Sequence, residues 1–134
     1  MFHSLYGKKL GFDDNDTLRH DAGSVSLDSG TKTATATGTG GTGTATLNKA
    51  SGKITTGALT TAAAATHVLT LTNSKIAAAD QVYVSVGKGT ATTGIVTVAD
   101  VLPAAGSVVI TIQNIAAAAA VNGTLVISFM VVKA

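Results

Sequence analysis

Threonine takes every second position from Thr31 to Thr37 and again from Thr42 to Thr46, with Ala34, Ala36, Ala45 and Leu47 set between. A repeat of two residues is the period of a strand, because successive side chains of extended backbone point to opposite faces, whereas a helix repeats every 3.6. The parity changes across the glycines at 38, 40 and 41. If those glycines form a turn, an antiparallel hairpin over residues 31–47 pairs Thr33 with Thr46, Ala34 with Ala45 and Thr35 with Thr44, giving one hydroxyl face and one small apolar face. Alanine burial contributes little per residue, so such a hairpin needs cover from elsewhere.

The same period continues downstream. "HVLTLT" (67–72) and "QVYVSV" (81–86) alternate cleanly, and residues 95–101 and 107–113 follow the pattern. The last segment, "TLVISFMVV", is apolar on both faces: Leu125, Ile127, Phe129 and Val131 lie on one, and Val126, Met130 and Val132 with Ser128 on the other. Such a strand belongs at the centre of a sheet or at a contact between subunits, and we take Val126, Met130 and Val132 as the candidate subunit interface. "TNSK", "GKGTATTG", "LPAAG" and "VNG" supply turns between the strands. The alanine runs 62–65 and 116–120 are shorter than an isolated stable helix and are read as loops, each with room for a single helical turn.

Composition agrees with this reading. Threonine and alanine make up about a third of the 134 residues, and glutamate, cysteine and tryptophan are absent, a mix that favours strands. The fold expected is all-β, an antiparallel β-sandwich or jelly-roll-like domain over residues 29–134, with its core built from valine and alanine. Residues 1–28 differ. They hold Phe2, Tyr6 and Phe12 and five of the seven aspartates, and read as an extended N-terminal arm or a disordered tail. Phe2, Tyr6, Leu10 and Phe12 are its apolar anchors, too few for a core but suited to docking on a partner.

Little in the chain points to chemistry. Gly38, Gly40 and Gly43 match a dinucleotide-binding glycine pattern, yet a Thr/Ala strand follows them where that motif needs a helix, and no acid stands about twenty residues on. "GKI" (52–54) and "GKGT" (87–90) lack the full spacing of a phosphate loop and read as hairpin loops. The cluster Asp13, Asp14, Asn15, Asp16 and Asp21 lacks the glycine and the closing glutamate of a calcium loop and reads as solvated turn caps. His67 lies in phase with Leu69 and Leu71 and reads as a strand-edge histidine with a satisfied ring. His3 and His20 fall in the arm, and no histidine pair has metal-ligand spacing. The lysines at 32, 49, 53, 75, 88 and 133 are spread along the chain with no aromatic interleaved, which argues against a nucleic-acid surface. No apolar run is long enough to cross a bilayer as a helix. The residues thus give a non-enzymatic β module with no cofactor, no metal, no small-molecule substrate and no membrane span.

The segments "TATLNKASGKITTGALTTAAAATHVLTLTNSKI" and "SVVITIQNIAAAAAVNGTLVISFMVVKA" resemble small virion proteins of tailed bacteriophages and prophages that decorate or cement the head. The likeness runs over residues 42–134, and "SLYGKKLGF" (4–12) is similar to the opening of phage head accessory proteins. The unbroken run Ala116 to Ala120 departs from the family pattern, which has a larger polar residue there. The resemblance implies a homotrimer on the virion head surface, made in the bacterial host cytoplasm. The arm and one sandwich face would grip the major capsid protein. A tail-fibre or receptor-binding module that takes a surface glycan is the alternative, with Tyr83 the sandwich's one tyrosine for stacking a sugar.

Overall fold

The computed structural model describes residues 30–134, and in the N-terminal segment only the backbone of three short strands, β1 (His3–Leu5), β2 (Lys8–Phe12) and β3 (Leu18–His20), which pair antiparallel in the order β1-β2-β3. Eight further strands follow: β4 (Thr33–Thr35), β5 (Thr42–Thr46), β6 (Ser51–Thr55), β7 (Thr66–Thr72), β8 (Gln81–Lys88), β9 (Val96–Ala104), β10 (Ser107–Asn114) and β11 (Leu125–Val132). They form two four-stranded sheets in the orders β5-β7-β10-β9 and β4-β6-β11-β8, which pack face to face as a sandwich. Among the described residues there is no helix, and both alanine runs lie in loops, as their length implied.

Period-two patterning decides which side chains enter the core. On β7 His67, Leu69 and Leu71 are buried; on β10 Val108, Ile110 and Ile112; on β11 Leu125, Ile127, Phe129 and Val131. Strand β11 is central, as its two-faced apolar pattern predicts, and pairs antiparallel with β6 on one side and β8 on the other. With Ile54, Leu59 and Ile76 also buried, the core is carried by isoleucine and leucine rather than by the valine and alanine expected. Each such burial contributes about 1.5–3 kcal/mol, so the sandwich completes its own core.

The Thr/Ala segment departs from the hairpin expected of it. Its alternation holds: Thr33, Thr35, Thr42, Thr44 and Thr46 are exposed while Ala36, Ala45 and Leu47 are buried. The pairing is different. β4 runs parallel to β6, with Ala34 opposite Ile54, and β5 runs parallel to β7, with Ala45 opposite Leu71, so the two strands lie in different sheets. Only an isolated bridge between Thr37 and Thr44 joins them. The physical reason is cover. A hairpin would place both alanine faces in one sheet, whereas a strand on the edge of each sheet buries both between the layers. The sheets are therefore mixed, each with one parallel edge pair.

Two readings of lysine-bearing loops are also corrected. Residues 52–54 lie inside β6, whose single buried apolar side chain, Ile54, gives no alternation to read. Gly87 and Lys88 end β8, and Gly89 and Thr90 begin a crossing to β9 in the opposite sheet rather than a hairpin. In β9 a bulge opposite Thr111 and Ile112 shifts the inward set from Val96 and Val98 to Val101.

Candidate functional site

The outer face of the β4-β6-β11-β8 sheet carries the candidate interface. Ser128 and Met130 alternate with inward residues on β11, and register sets Met130 opposite Tyr83 on β8 and Ser51 on β6, with Ser128 opposite Ser85 and Lys53. All three interface candidates, Val126, Met130 and Val132, point to this face: Val126 is half-buried, while Met130 and Val132 are 40% and 41% exposed. Tyr83 joins them at 57% exposed, its hydroxyl donating to Gln81 Oε1 at 3.0 Å. The strip is apolar along Tyr83, Met130 and Val132, and polar toward Lys53 and the exposed Thr33 and Thr35. Tyr83, Ser85, Ser128 and Met130 line a shallow depression on it. Sequence reasoning missed Tyr83 as a member of the strip, although its place out of phase with Val82, Val84 and Val86 in "QVYVSV" was the available signal.

The arm anchors are a different matter. Phe2 and Tyr6, like Asp13, Asp14, Asn15, Asp16 and Asp21 of the acidic cluster, lie outside the described residues. Leu10 and Phe12 fall on β2, where the backbone register sets Leu10 opposite His3 and His20, and Phe12 opposite Leu18, and their side chains lie outside the described set.

Three polar centres organise the loops. Asn114, buried at the end of β10, donates through Nδ2 to the carbonyls of Thr61, Ala62 and Ala119 (3.1, 3.1 and 2.8 Å) and accepts through Oδ1 from the amides of Ile95 and Ala116 (3.0 and 3.2 Å). One side chain thereby fixes three connections at one end of the sandwich. His67 is buried, not at a strand edge. Its Nδ1 lies 2.7 Å from the Gly40 carbonyl oxygen, which only accepts, so the proton sits on Nδ1, and the buried Nε2 has no partner among the described residues. The ring is half-satisfied, and it pins the glycine turn that carries the chain between sheets. Gly38 and Gly40 are turn glycines and Gly43 lies in β5, so a strand and not a helix follows the dinucleotide-like pattern.

At the opposite end Asp80 is almost buried and ion-pairs with the exposed Lys133. Its carboxylate also accepts from the amides of Ala77 and Ala134 (2.7 and 3.3 Å). The Lys133 hydrogen bond first, then the Ala77 amide, hold its pKa below the usual carboxylate range against the opposing effect of burial. Among the described residues no three potential metal ligands come together.

The chain matches no protein-family model, and it matches neither a curated protein nor a solved structure.

Proposed function

We propose that this chain is a structural protein of a tailed-bacteriophage virion, a decoration or cement protein that binds the head shell as a homotrimer and acts by adding interface rather than by chemistry. The observation that carries the reading is the exposed strip of Tyr83, Met130 and Val132 on the outer side of a sheet whose inner side is already fully packed. A central strand that is apolar on both faces has more burial to gain than one sheet of cover supplies, and a sister subunit is the natural source of the rest. The sequence resemblance to small head proteins supports the virion setting, with Phe2, Tyr6, Leu10 and Phe12 of the arm docking on the major capsid protein.

Light scattering gives the first test: a trimer is expected at micromolar concentration, and a monomer there removes the subunit contact. Deleting residues 1–28 gives the second, since capsid binding should be lost while the sandwich stays folded. The exposed Tyr83 ring beside Ser85 and Ser128 favours one alternative, a fibre-tip module that stacks a sugar on that ring. Such a module would keep binding cells without its arm, and a Tyr83→Ala variant would not bind.

A further inference from the structure

A strand at the edge of a sheet holds a row of backbone donors and acceptors that no neighbour uses, and proteins guard such rows with proline, bulges, charge or shortness. Three of the sandwich's four edges are guarded in these ways. Strand β9 carries Asp100, Pro103 and the bulge opposite Thr111 and Ile112. Strands β4 and β5 are three and five residues long, and the bridge between Thr37 and Thr44 ties them together. Strand β8 is the exception. It runs for eight residues, "QVYVSVGK", with no proline, no shift of register against β11 and a single charge at its last position.

Register shows which groups of β8 are unused. In an antiparallel pair, opposite residues alternate between those that exchange both backbone hydrogen bonds and those that exchange none. The Gly89 amide donates to the Thr124 carbonyl at 2.9 Å, just beyond the strand ends. Counting back along the ladder, the bonded pairs are Gly87 with Val126, Ser85 with Ser128 and Tyr83 with Met130. The far side of β11 agrees, because the Thr56 amide donates to the Leu125 carbonyl and the Val131 amide to the Ala50 carbonyl, which leaves the even-numbered residues of β11 for β8. The N–H and C=O groups of Val82, Val84 and Val86 therefore point away from β11, and among the described residues no strand pairs with them. Their side chains pack on the core but stay half-buried, since nothing flanks them on that side.

We infer that β8 of a second copy of the chain adds antiparallel to this edge, about a two-fold axis at Val84, and joins two four-stranded sheets into one. Extended backbone is what such a row accepts, and β8 is its own complement. With Val84 opposite Val84, Val82 meets Val86 in bonded pairs, Tyr83 stands opposite Ser85, and the two Lys88 fall at opposite ends. No other edge among the described residues is as long, unguarded and free of charge. A single pair of short strands buries well under the roughly 1,000 Å² of a lasting interface, so the contact forms where copies are crowded. It covers an edge and not the outer face, so it pairs whatever species that face forms, and it does not depend on the virion role proposed above.

Hydrogen exchange on the full chain reads the contact directly. Between about 10 μM and about 1 mM the amides of Val82, Val84 and Val86 should slow about tenfold or more, while those of Tyr83, Ser85 and Gly87, already bonded to β11, change little. Sedimentation should show the mass of the dilute species doubling over the same range. A mixture of labelled and unlabelled copies should give a contact between the α-protons of Tyr83 and Ser85 on different copies, whose Cα atoms stand about 4.5 Å apart in a non-bonded pair. Val84→Pro removes an edge donor without removing a bond to β11, and should abolish the doubling with circular dichroism unchanged. If that variant unfolds, the alternating exchange of the unaltered chain decides alone. Fast exchange of the three valine amides in the concentrated sample overturns the proposal. Slow exchange already present in the dilute monomer also overturns it, because the covering strand then belongs to the same chain. Doubling without the alternation overturns it too, by placing the contact on a face. The mass of the dilute species tests the outer-face contact separately, so the two can fail independently.

Discussion

Thr37 and Thr44 clasp each other across the seam between the two sheets. Each amide donates to the other's carbonyl (2.8 and 3.2 Å), and their hydroxyl oxygens lie 2.8 Å apart. The clasp works because the chain turns sharply at Gly38, whose φ of 90° is strained for any residue with a side chain. A Cβ there would also collide with the Thr42 carbonyl oxygen. Gly38→Ala should therefore lower the free energy of unfolding by about 1–3 kcal/mol in urea titrations. Gly40→Ala, in the same turn but facing open space, should change it by less than about 1 kcal/mol.

Asn114 offers a sharper case. Asn114→Ala leaves the carbonyls of Thr61, Ala62 and Ala119 and the amides of Ile95 and Ala116 without the partner that now serves them. At about 1–3 kcal/mol for each buried group left unmade, with water recovering some of them, a loss of at least about 3 kcal/mol is expected. Asn114→Asp keeps the shape but turns a carboxylate oxygen toward three carbonyls. Its stability deficit should grow as pH rises through the carboxyl's titration and shrink in acid, where the protonated group can donate again.

Asp80 behaves in the opposite sense. Its folded-state pKa is held below the usual range, chiefly by Lys133, so the stability it contributes is fully present above the unfolded-state value of 3.8 and is lost as pH falls through the lower folded-state value. Thermal unfolding midpoints of the wild type and Asp80→Asn should differ at neutral pH and converge in strong acid. A constant gap at all pH values would mean that the carboxylate's charge plays no part.

How much of this was legible beforehand divides by the kind of information each feature needs. The inward sets on β7, β10 and β11 follow from period two alone, because a strand with one buried face must alternate whatever its neighbours are. Partner choice does not follow from alternation: Ala34 and Ala45 signal a buried face equally well in a hairpin and in two separate sheets, and what settles the matter is the position of β6 and β7, far along the chain. Strand β6 itself, "SGKIT", has one apolar residue, and its identity as a strand comes from pairing on both sides with β4 and β11. Tyr83 was the exception, readable as an outward residue from its phase, and it lacked only knowledge that Met130 stands opposite.

That pairing gives the prediction that separates assembly from folding. Ile127 is fully buried between the sheets, and Ile127→Ala should cost about 2–5 kcal/mol through lost contacts and the cavity left behind, whatever the oligomeric state. Met130, three residues on, faces outward at 40% exposed. In an isolated sandwich Met130→Lys should alter stability by no more than about 0.5 kcal/mol, because a surface site away from caps and networks tolerates most side chains. In a trimer joined through this face the same lysine places a charge in an apolar contact against a partner surface. Light scattering should then report monomers for Met130→Lys while its far-ultraviolet circular dichroism matches the wild type, and a variant that remains trimeric moves the subunit contact off this face.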